Sequence, residues 1–450
     1  FLGVSSFDSN LKGFINGAAL DTSYGGLGNN FGTAGKYLMF AVDTNAGKFW
    51  AGYDGTWFGS GNPAGGTNDS GQDISLYDTW FPAISRIGSA GSGAFIFNFG
   101  QRSFAHTPPT GFSKLNQDNI DDTASKITAW AWIKNRDADD NHILVDRVRG
   151  VGKDLHSNSD TSTGLAPAEV TNMNTVQRFL QRGVQIGSDV EVNTANESYV
   201  LWQWLVGDSA TTGTAIPADN PPSLASTSLV ADAGHFAVIS YTGNATSGAT
   251  IGHGMSGAPE MVWVKERDNA NGWIVSSTSI GFNKVVRLDT SDPIGVDGGA
   301  FNSTAPSSTL ITLGSNSGTN RSSGQMICYA FRSVPGVCKI GSYIPNNTID
   351  GPYVNLGFTP AYLLIKCVET TNPWIVFDNT RGPTNPVTKY LLPNSNAVEA
   401  SSGRDIDFLS DGYKIRENDS DINGGTSNAY IYMAIADLGG NGTLPPIYSR

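Results

Sequence analysis

Charge is what this sequence has least of. Asp, Glu, Lys and Arg make up 15% of its 450 residues, well below the quarter or so usual for a soluble domain. The balance is acidic, with 28 Lys and Arg against 40 Asp and Glu and a formal charge of −12. Binding nucleic acid needs a basic face, so no nucleic-acid partner is expected. The one basic-looking stretch, Asp146-Arg147-Val148-Arg149, is offset by Asp137, Asp139 and Asp140. Cysteine is almost absent too. Cys328, Cys338 and Cys367 form no CxxC pair, which excludes a disulfide framework and a cysteine zinc site and leaves buried free thiols as the expectation. Long hydrophobic runs are missing as well. Ile127 to Ile133 and Ala361 to Ile365 are the most apolar stretches, far short of the ~18 residues a spanning helix requires, so no membrane insertion is expected. Heptads of a coiled-coil rod are not seen either.

What is present points to β-structure. Hydrophobic residues at 39% and aromatics at 10% can fill several cores, and 54 glycines among many Ser, Thr and Asn supply turns. The length predicts two to four domains. The chain starts at Phe1 on Phe-Leu-Gly-Val, which reads as the middle of a strand, so residues upstream are expected to exist.

Self-similarity is the strongest signal. Trp130-Ala-Trp132-Ile-Lys134, Met261-Val-Trp263-Val-Lys265 and Tyr362-Leu-Leu-Ile-Lys366 are each followed by a second β-prone run, at His142, Trp273 and Trp374. The spacings 142−134, 273−265 and 374−366 are all 8. A later Lys recurs at 153, 284 and 389, and each copy closes on a β-prone run ending at Trp204, Phe331 or Ile435. The second and third copies share a leading strand, Ala237–Tyr241 and Lys339–Tyr343. The first has the polar, acidic segment from Leu115 to Lys126 before its Lys strand. Only Ala166 to Arg182 hints at helix. The predicted layout is a β-sandwich at 1–112, repeats at 113–207, 228–334 and 335–438, a Pro-rich linker at 208–227, and a tail at 439–450. The fold class is all-β, with tandem β-sandwich domains expected to stand in series as a rod, each unit contacting only its neighbours.

In the N-terminal segment, Ala41-Val-Asp-Thr-Asn-Ala-Gly-Lys-Phe-Trp50 reads as a hairpin, Tyr53-Asp-Gly-Thr-Trp57 as a turn, and Phe95 to Arg102 as a closing strand. With Phe81-Pro-Ala-Ile-Ser85, these residues resemble the SPRY-type, concanavalin-like β-sandwich. That family usually begins with one more strand, which this chain lacks. The whole arrangement resembles virion proteins of tailed bacteriophages, tail fibres and tailspikes among them. There, a SPRY-like module precedes repeats with a Pro-x-x-Val-Trp-Ile-Lys strand, here Pro259 to Lys265, and a Tyr-Val-Ala-Trp strand, here Tyr199 to Trp202. The resemblance implies a structural virion protein, extracellular on a tail or appendage. It implies other tail proteins and a host-surface glycan as partners and a homo-oligomer, a trimer by class, with no catalytic residue carried over. A secreted bacterial lectin-like protein and a glycan depolymerase are the rival readings.

Few residues offer chemistry. No Gly-x-Ser-x-Gly, His-Glu-x-x-His or Walker A motif occurs, and Gly32-Thr-Ala-Gly-Lys36 falls short of a P-loop. No cofactor and no enzyme activity are expected. His142 stands where the other repeats place Trp273 and Trp374, so it is expected to pack as an aromatic. Asp419-Ser-Asp421-Ile-Asn423-Gly424 matches the first half of an EF-hand loop, but Tyr430 stands where the bidentate Glu belongs; a polar turn is the expectation and Ca²⁺ the alternative. Trp57 and Trp80 lie in loop-like contexts and are the candidate sugar-stacking residues, weighed against core packing.

Overall fold

The computed structural model describes residues 37–43, 46–69, 104–112, 126–159, 164–207, 221–425 and 429–437, together with the backbone of strands at 2–7, 10–15, 18–24 and 82–84. The chain divides into two compact units, Phe1–Asp121 and Asp122–Arg450. Strands dominate both, so the all-β class holds. Among the described residues no helix is long and apolar enough to cross a membrane.

In the N-terminal unit, β1 (Leu2–Phe7), β2 (Asn10–Ile15) and β3 (Ala18–Tyr24) form an antiparallel meander. The expected hairpin joins β4 (Leu38–Asp43) to β5 (Lys48–Tyr53), with Asp43 opposite Lys48. Asp43 Oδ1 accepts from Ala46 N–H at 2.9 Å and so helps close its turn. Asp54 and Gly55, at φ 48° and 92°, form the next turn into β6 (Thr56–Trp57). That left-handed pair suits an Asp-Gly sequence. A short strand, β7 (Pro82–Ile84), runs parallel to β1. Beneath the hairpin Trp50 is buried, donating from Nε1 to Thr67 O at 3.0 Å and meeting Phe112 edge-on at 5.7 Å. The expected closing strand at Phe95 to Arg102 lies outside the described residues.

The second unit holds the three repeats. The first comprises β8 (Lys126–Asn135), β9 (Ile143–Asp146), β10 (Lys153–Asp154), β11 (Val170–Thr171), β12 (Val176–Leu180), β13 (Gly183–Ile186), α1 (Val190–Asn193) and β14 (Tyr199–Gly207). The second comprises β15 (Ser226–Val230), β16 (Phe236–Thr242), β17 (Ala249–Gly252), β18 (Met261–Glu266), β19 (Ile274–Ser277), β20 (Lys284–Arg287), β21 (Gly295–Val296), β22 (Leu310–Leu313), α2 (Ser317–Asn320) and β23 (Gln325–Phe331). The third comprises β24 (Cys338–Tyr343), β25 (Tyr353–Asn355), β26 (Pro360–Cys367), β27 (Trp374–Asp378), β28 (Ile406–Leu409), β29 (Gly412–Ile415) and β30 (Tyr430–Ala436).

One sheet recurs in all three, in the orders β14-β8-β9, β16-β23-β18-β19 and β24-β30-β26-β27. Its register repeats as well: Trp202 faces Trp132, Tyr329 faces Trp263 and Met433 faces Leu364. Strand alternation sends side chains two residues apart to one face. Trp130, Trp132, Trp202 and Trp204 therefore share a face, as do Trp263, Tyr329 and Phe331, and Tyr362, Leu364, Met433 and Ile435. All of these meet in a single buried core common to the three repeats. The opposite face of each sheet packs under its own second layer, giving every repeat a private core.

This shared core corrects the expected serial rod. A full set of large aromatics on the inner faces leaves too much apolar surface for any repeat to keep exposed, so the repeats close on one another. The helical hint at Ala166 to Arg182 is also corrected. β12 and β13 form a tight hairpin there, with Arg182 at φ 52° in the turn, because strand pairing over Val176–Ile186 overrides a weak local preference.

Candidate functional site

Trp57 is half-buried at the end of β6, beside Gly52, and Trp80 lies outside the described residues. Asp419, Asp421 and Asn423 do sit together, in a one-turn structure capped by its own first residue. Asp419 Oδ1 accepts from Asp421 N–H at 2.8 Å, and Asn423 N–H donates to Asp419 O at 2.7 Å. The Asp421 carboxylate pairs with Arg404 and takes an amide hydrogen from Asn372 at 2.5 Å. Asn423 Nδ2 donates to Thr348 O and Glu417 O at 2.7 and 2.9 Å. The same turn recurs as α1 and α2, capped by Asp189 and Asn316. Its last residue, Asn193, Asn320 or Asn423, donates each time to the carbonyl six positions back, of Gly187, Gly314 or Glu417. The Asp-x-Asp-x-Asn letters thus spell a cap and a loop plug.

The densest chemistry lies where the repeats meet. At one equivalent position of each repeat, a ring nitrogen donates to a backbone carbonyl of another: Trp273 Nε1 to His156 O at 2.7 Å, Trp374 Nε1 to Arg287 O at 2.7 Å, and His142 Nε2 to Leu392 O at 3.1 Å. The three acceptors follow Leu155, Val286 and Leu391, which face the equivalent residues Leu144, Val275 and Val376. Trp132 Nε1 donates to His142 Nδ1 at 2.9 Å, which places the His142 proton on Nε2. His142 is fully buried, with its ring 5.7 Å from that of Trp132, and burial lowers its pKa to about 3, helped by Lys134. A second contact follows the same cycle: Glu169 N–H to Arg267 O, Ile294 N–H to Val368 O, and Glu399 N–H to Arg136 O, at 2.8, 2.7 and 2.9 Å. First touches second, second touches third, and third touches first. Such head-to-tail contacts, once the rotation closes, make a ring.

Two of the three seams are ionic. At the first, Arg149 is clamped to Asp146 at 2.5 Å and reaches Glu169 at 3.2 Å, while Glu169 takes a bidentate pair from Arg267 at 2.8 and 2.9 Å. At the closing seam, Arg381 holds Asp378 at 2.5 Å and Glu399 at 3.1 Å, and Glu399 takes Arg136 at 2.8 and 2.9 Å. Each buried Asp also accepts a hydrogen bond from the closing strand of another repeat, Tyr329 Oη at 2.7 Å and Trp202 Nε1 at 3.1 Å. Burial works against the Glu169 and Glu399 carboxylates, but the flanking guanidinium groups outweigh it and hold both below the usual range. Burial opposes the charge of Arg149 too, and Asp146, Tyr329 and Glu169 overcome it. At the middle seam Ser277 and Ile280 replace the Asp-x-x-Arg pair, and Ile294 meets Val368 in place of Glu and Arg.

Beside each seam sits a buried lysine. Lys134 donates to Asn135 O and Ala138 O, Lys265 to Glu266 O and Asn269 O, and Lys366 to Asn372 O and Ser291 O, at 2.5 to 3.2 Å. All three are fully buried, and burial lowers each pKa to about 8. The thiols of Cys328, Cys338 and Cys367 are free and buried, and burial pushes those of Cys328 and Cys338 up.

The ring donors, the two ionic clusters and Lys366 bind the repeats to each other, satisfied by one another and by main chain. The Asp-x-x-Arg pairs are readable in sequence, but their Glu partners stand 20 and 18 positions beyond Arg149 and Arg381, and nothing local announces them. Residues 116–438 match the model of a family described as a domain of unknown function, DUF7483. No curated protein and no solved structure matches the chain.

Proposed function

The chain belongs to the DUF7483 family, and we propose that it is a structural protein of a tailed-bacteriophage particle, a tail fibre or related appendage that presents loops to a host-surface glycan. The observation that carries this reading is the closure of three β-sandwiches on one aromatic core within a single chain. A ring of that kind resists local opening and carries three equivalent sets of loops, so weak contacts with a repeating glycan add up. The N-terminal hairpin unit supplies the SPRY-like, concanavalin-like module, and other tail proteins and further copies of the chain are its partners on the extracellular particle. Mass spectrometry of purified particles is expected to find the chain among their stoichiometric components; absence from every particle sinks the reading. Incubation with host capsule or lipopolysaccharide is expected to release no oligosaccharide, and release would replace this reading with depolymerisation.

A further inference from the structure

The first repeat buries a carboxyl group where its sisters bury apolar or aromatic side chains. Asp154 follows Lys153 as Val285 follows Lys284 and Tyr390 follows Lys389. Val285 and Tyr390 lie in the private cores of the second and third repeats. Leu155, the next residue, lies in the shared core, so strand alternation turns Asp154 to the opposite, private side. It is 2% exposed there.

Its partners are too few for an ion. Among the described residues only the Thr175 hydroxyl reaches the carboxyl group, at 2.7 Å from Oδ1 and 2.9 Å from Oδ2. The same hydroxyl lies 2.9 Å from Asn172 O. A hydroxyl carries one hydrogen, so three acceptor oxygens compete for it. The buried Asp146, by contrast, takes the N–H groups of Val148 and Arg149 and the Arg149 Nε–H. A proton on Asp154 satisfies every group: the carboxyl donates to Thr175 Oγ1, and Thr175 donates to Asn172 O. The charged neighbours are engaged elsewhere. Arg149 is held by Asp146 and Glu169, and Lys153 Nζ donates to Thr171 Oγ1. Asp189 takes Asn172 Nδ2, Glu191 takes Asn141 Nδ2, and Arg178 on β12 is exposed. Burial pushes Asp154 up; the Thr175 hydrogen bond and Arg149 oppose it, Glu191 and Asp189 add to it, and the pKa stands at about 7.

Asn172 organises the turn that follows β11. Its N–H donates to Gly152 O at 2.8 Å, its Oδ1 accepts from Asn174 N–H at 3.0 Å, and its Nδ2 holds Asp189, the cap of α1. Asp189 N–H returns a bond to Asn174 O at 3.0 Å. Residues 172–175 thereby tie β11, β12 and α1 together, and Val176 beyond them is a private-core residue.

We propose that Asp154, Thr175 and Asn172 form a proton-operated latch on this turn, closed while the Asp154 carboxyl carries its proton and released when it ionises. The ionised carboxylate claims the Thr175 hydrogen, leaves Asn172 O without it, and stands buried with a single donor. Water entering beneath the turn relieves that state. The folded pKa lies above the unfolded value of about 4. The contribution of the latch is therefore complete below about pH 4 and is lost as pH rises through about 7. The inference stands apart from the virion reading.

Amide hydrogen exchange on the full chain at pH 5.5 and 8.5, corrected for intrinsic rates, tests it. The Asn172, Asn174 and Thr175 amides are expected to lose protection by about tenfold or more at the higher pH. The Glu169 amide, which donates to Arg267 O across the first seam, should keep its protection. Asp154→Asn retains a donor toward Thr175 without the charge, and its turn should stay protected at both pH values. The loss is read on the unmodified chain, so it stands whether or not the variant folds. In chain carrying ¹³C-labelled aspartate carboxyls, the resonance absent from Asp154→Asn should titrate near pH 7. Four results overturn the proposal: an Asp154 midpoint near 4, turn protection indifferent to pH, the same pH-dependent loss in Asp154→Asn, and a parallel loss at Glu169, which would mean general unfolding.

Discussion

Asn423 and Asn193 occupy the same place in two repeats, and their surroundings differ. Asn423 is fully buried and plugs a loop with three donated hydrogen bonds and one accepted from Asn346 N–H. Asn193 is exposed and donates once, to Gly187 O. Removing the first leaves buried backbone groups unpaired. Asn423→Ala is therefore expected to cost about 2–3 kcal/mol and Asn193→Ala less than about 1 kcal/mol, as read from urea melts of each variant. The three buried lysines make a second prediction. Their folded pKa values, about 8, lie below the unfolded one. Between the two, the unfolded chain binds more protons, so stability rises with pH. The gain should begin near pH 8, at up to about 1 kcal/mol per lysine per pH unit. It should slacken above about pH 9, where unfolded thiols ionise while Cys328 and Cys338 stay protonated. Denaturant melts from pH 7.5 to 9 check the slope, and Lys265→Met should reduce it by about a third.

At the scale of strands and seams, the Glu residues hold two arginines apiece. Glu399→Ala strands Arg136 and Arg381 in a largely buried place and is expected to cost about 3 kcal/mol, equal within error to Glu169→Ala. The comparison matters because Arg136 and Glu399 lie 263 positions apart and join the first repeat to the third. A loss confined to Glu169 would contradict a closed ring. The strands themselves were legible from sequence. The three runs ending in Lys134, Lys265 and Lys366 fall on β8, β18 and β26 and the closing runs on β14, β23 and β30 with the expected alternation, while His142, Trp273 and Trp374 stand at or just before the start of β9, β19 and β27. Their mutual arrangement was not. Trp273 and Trp374 donate to main-chain carbonyls, which every residue carries, so no residue type at His156 or Arg287 marks the partner. The Asp419 letters suit both readings, since Asx caps and Ca²⁺ loops both need short carboxylates beside Gly; Tyr430 in place of the bidentate Glu favours the turn in the sequence, and Arg404 pairs with its carboxylates in the structure.

For the molecule as a whole, the repeats share one core, so Asp122–Arg450 is expected to unfold in a single transition. A protease site inserted in the Pro-rich linker at 208–227, cut under native conditions, should leave two fragments that co-elute in gel filtration. Separation of the fragments would mean that the repeats stand independently. The closing seam has one further consequence, for load. It is the only seam that joins repeats not adjacent along the chain. Tension applied between the start of β8 and the end of β30 runs directly across the Arg136–Glu399 and His142–Leu392 contacts, in parallel with the long covalent path through the second repeat. Under pulling, those contacts are expected to bear the load before any sandwich unravels, because the covalent path through the second repeat carries none of it until they part.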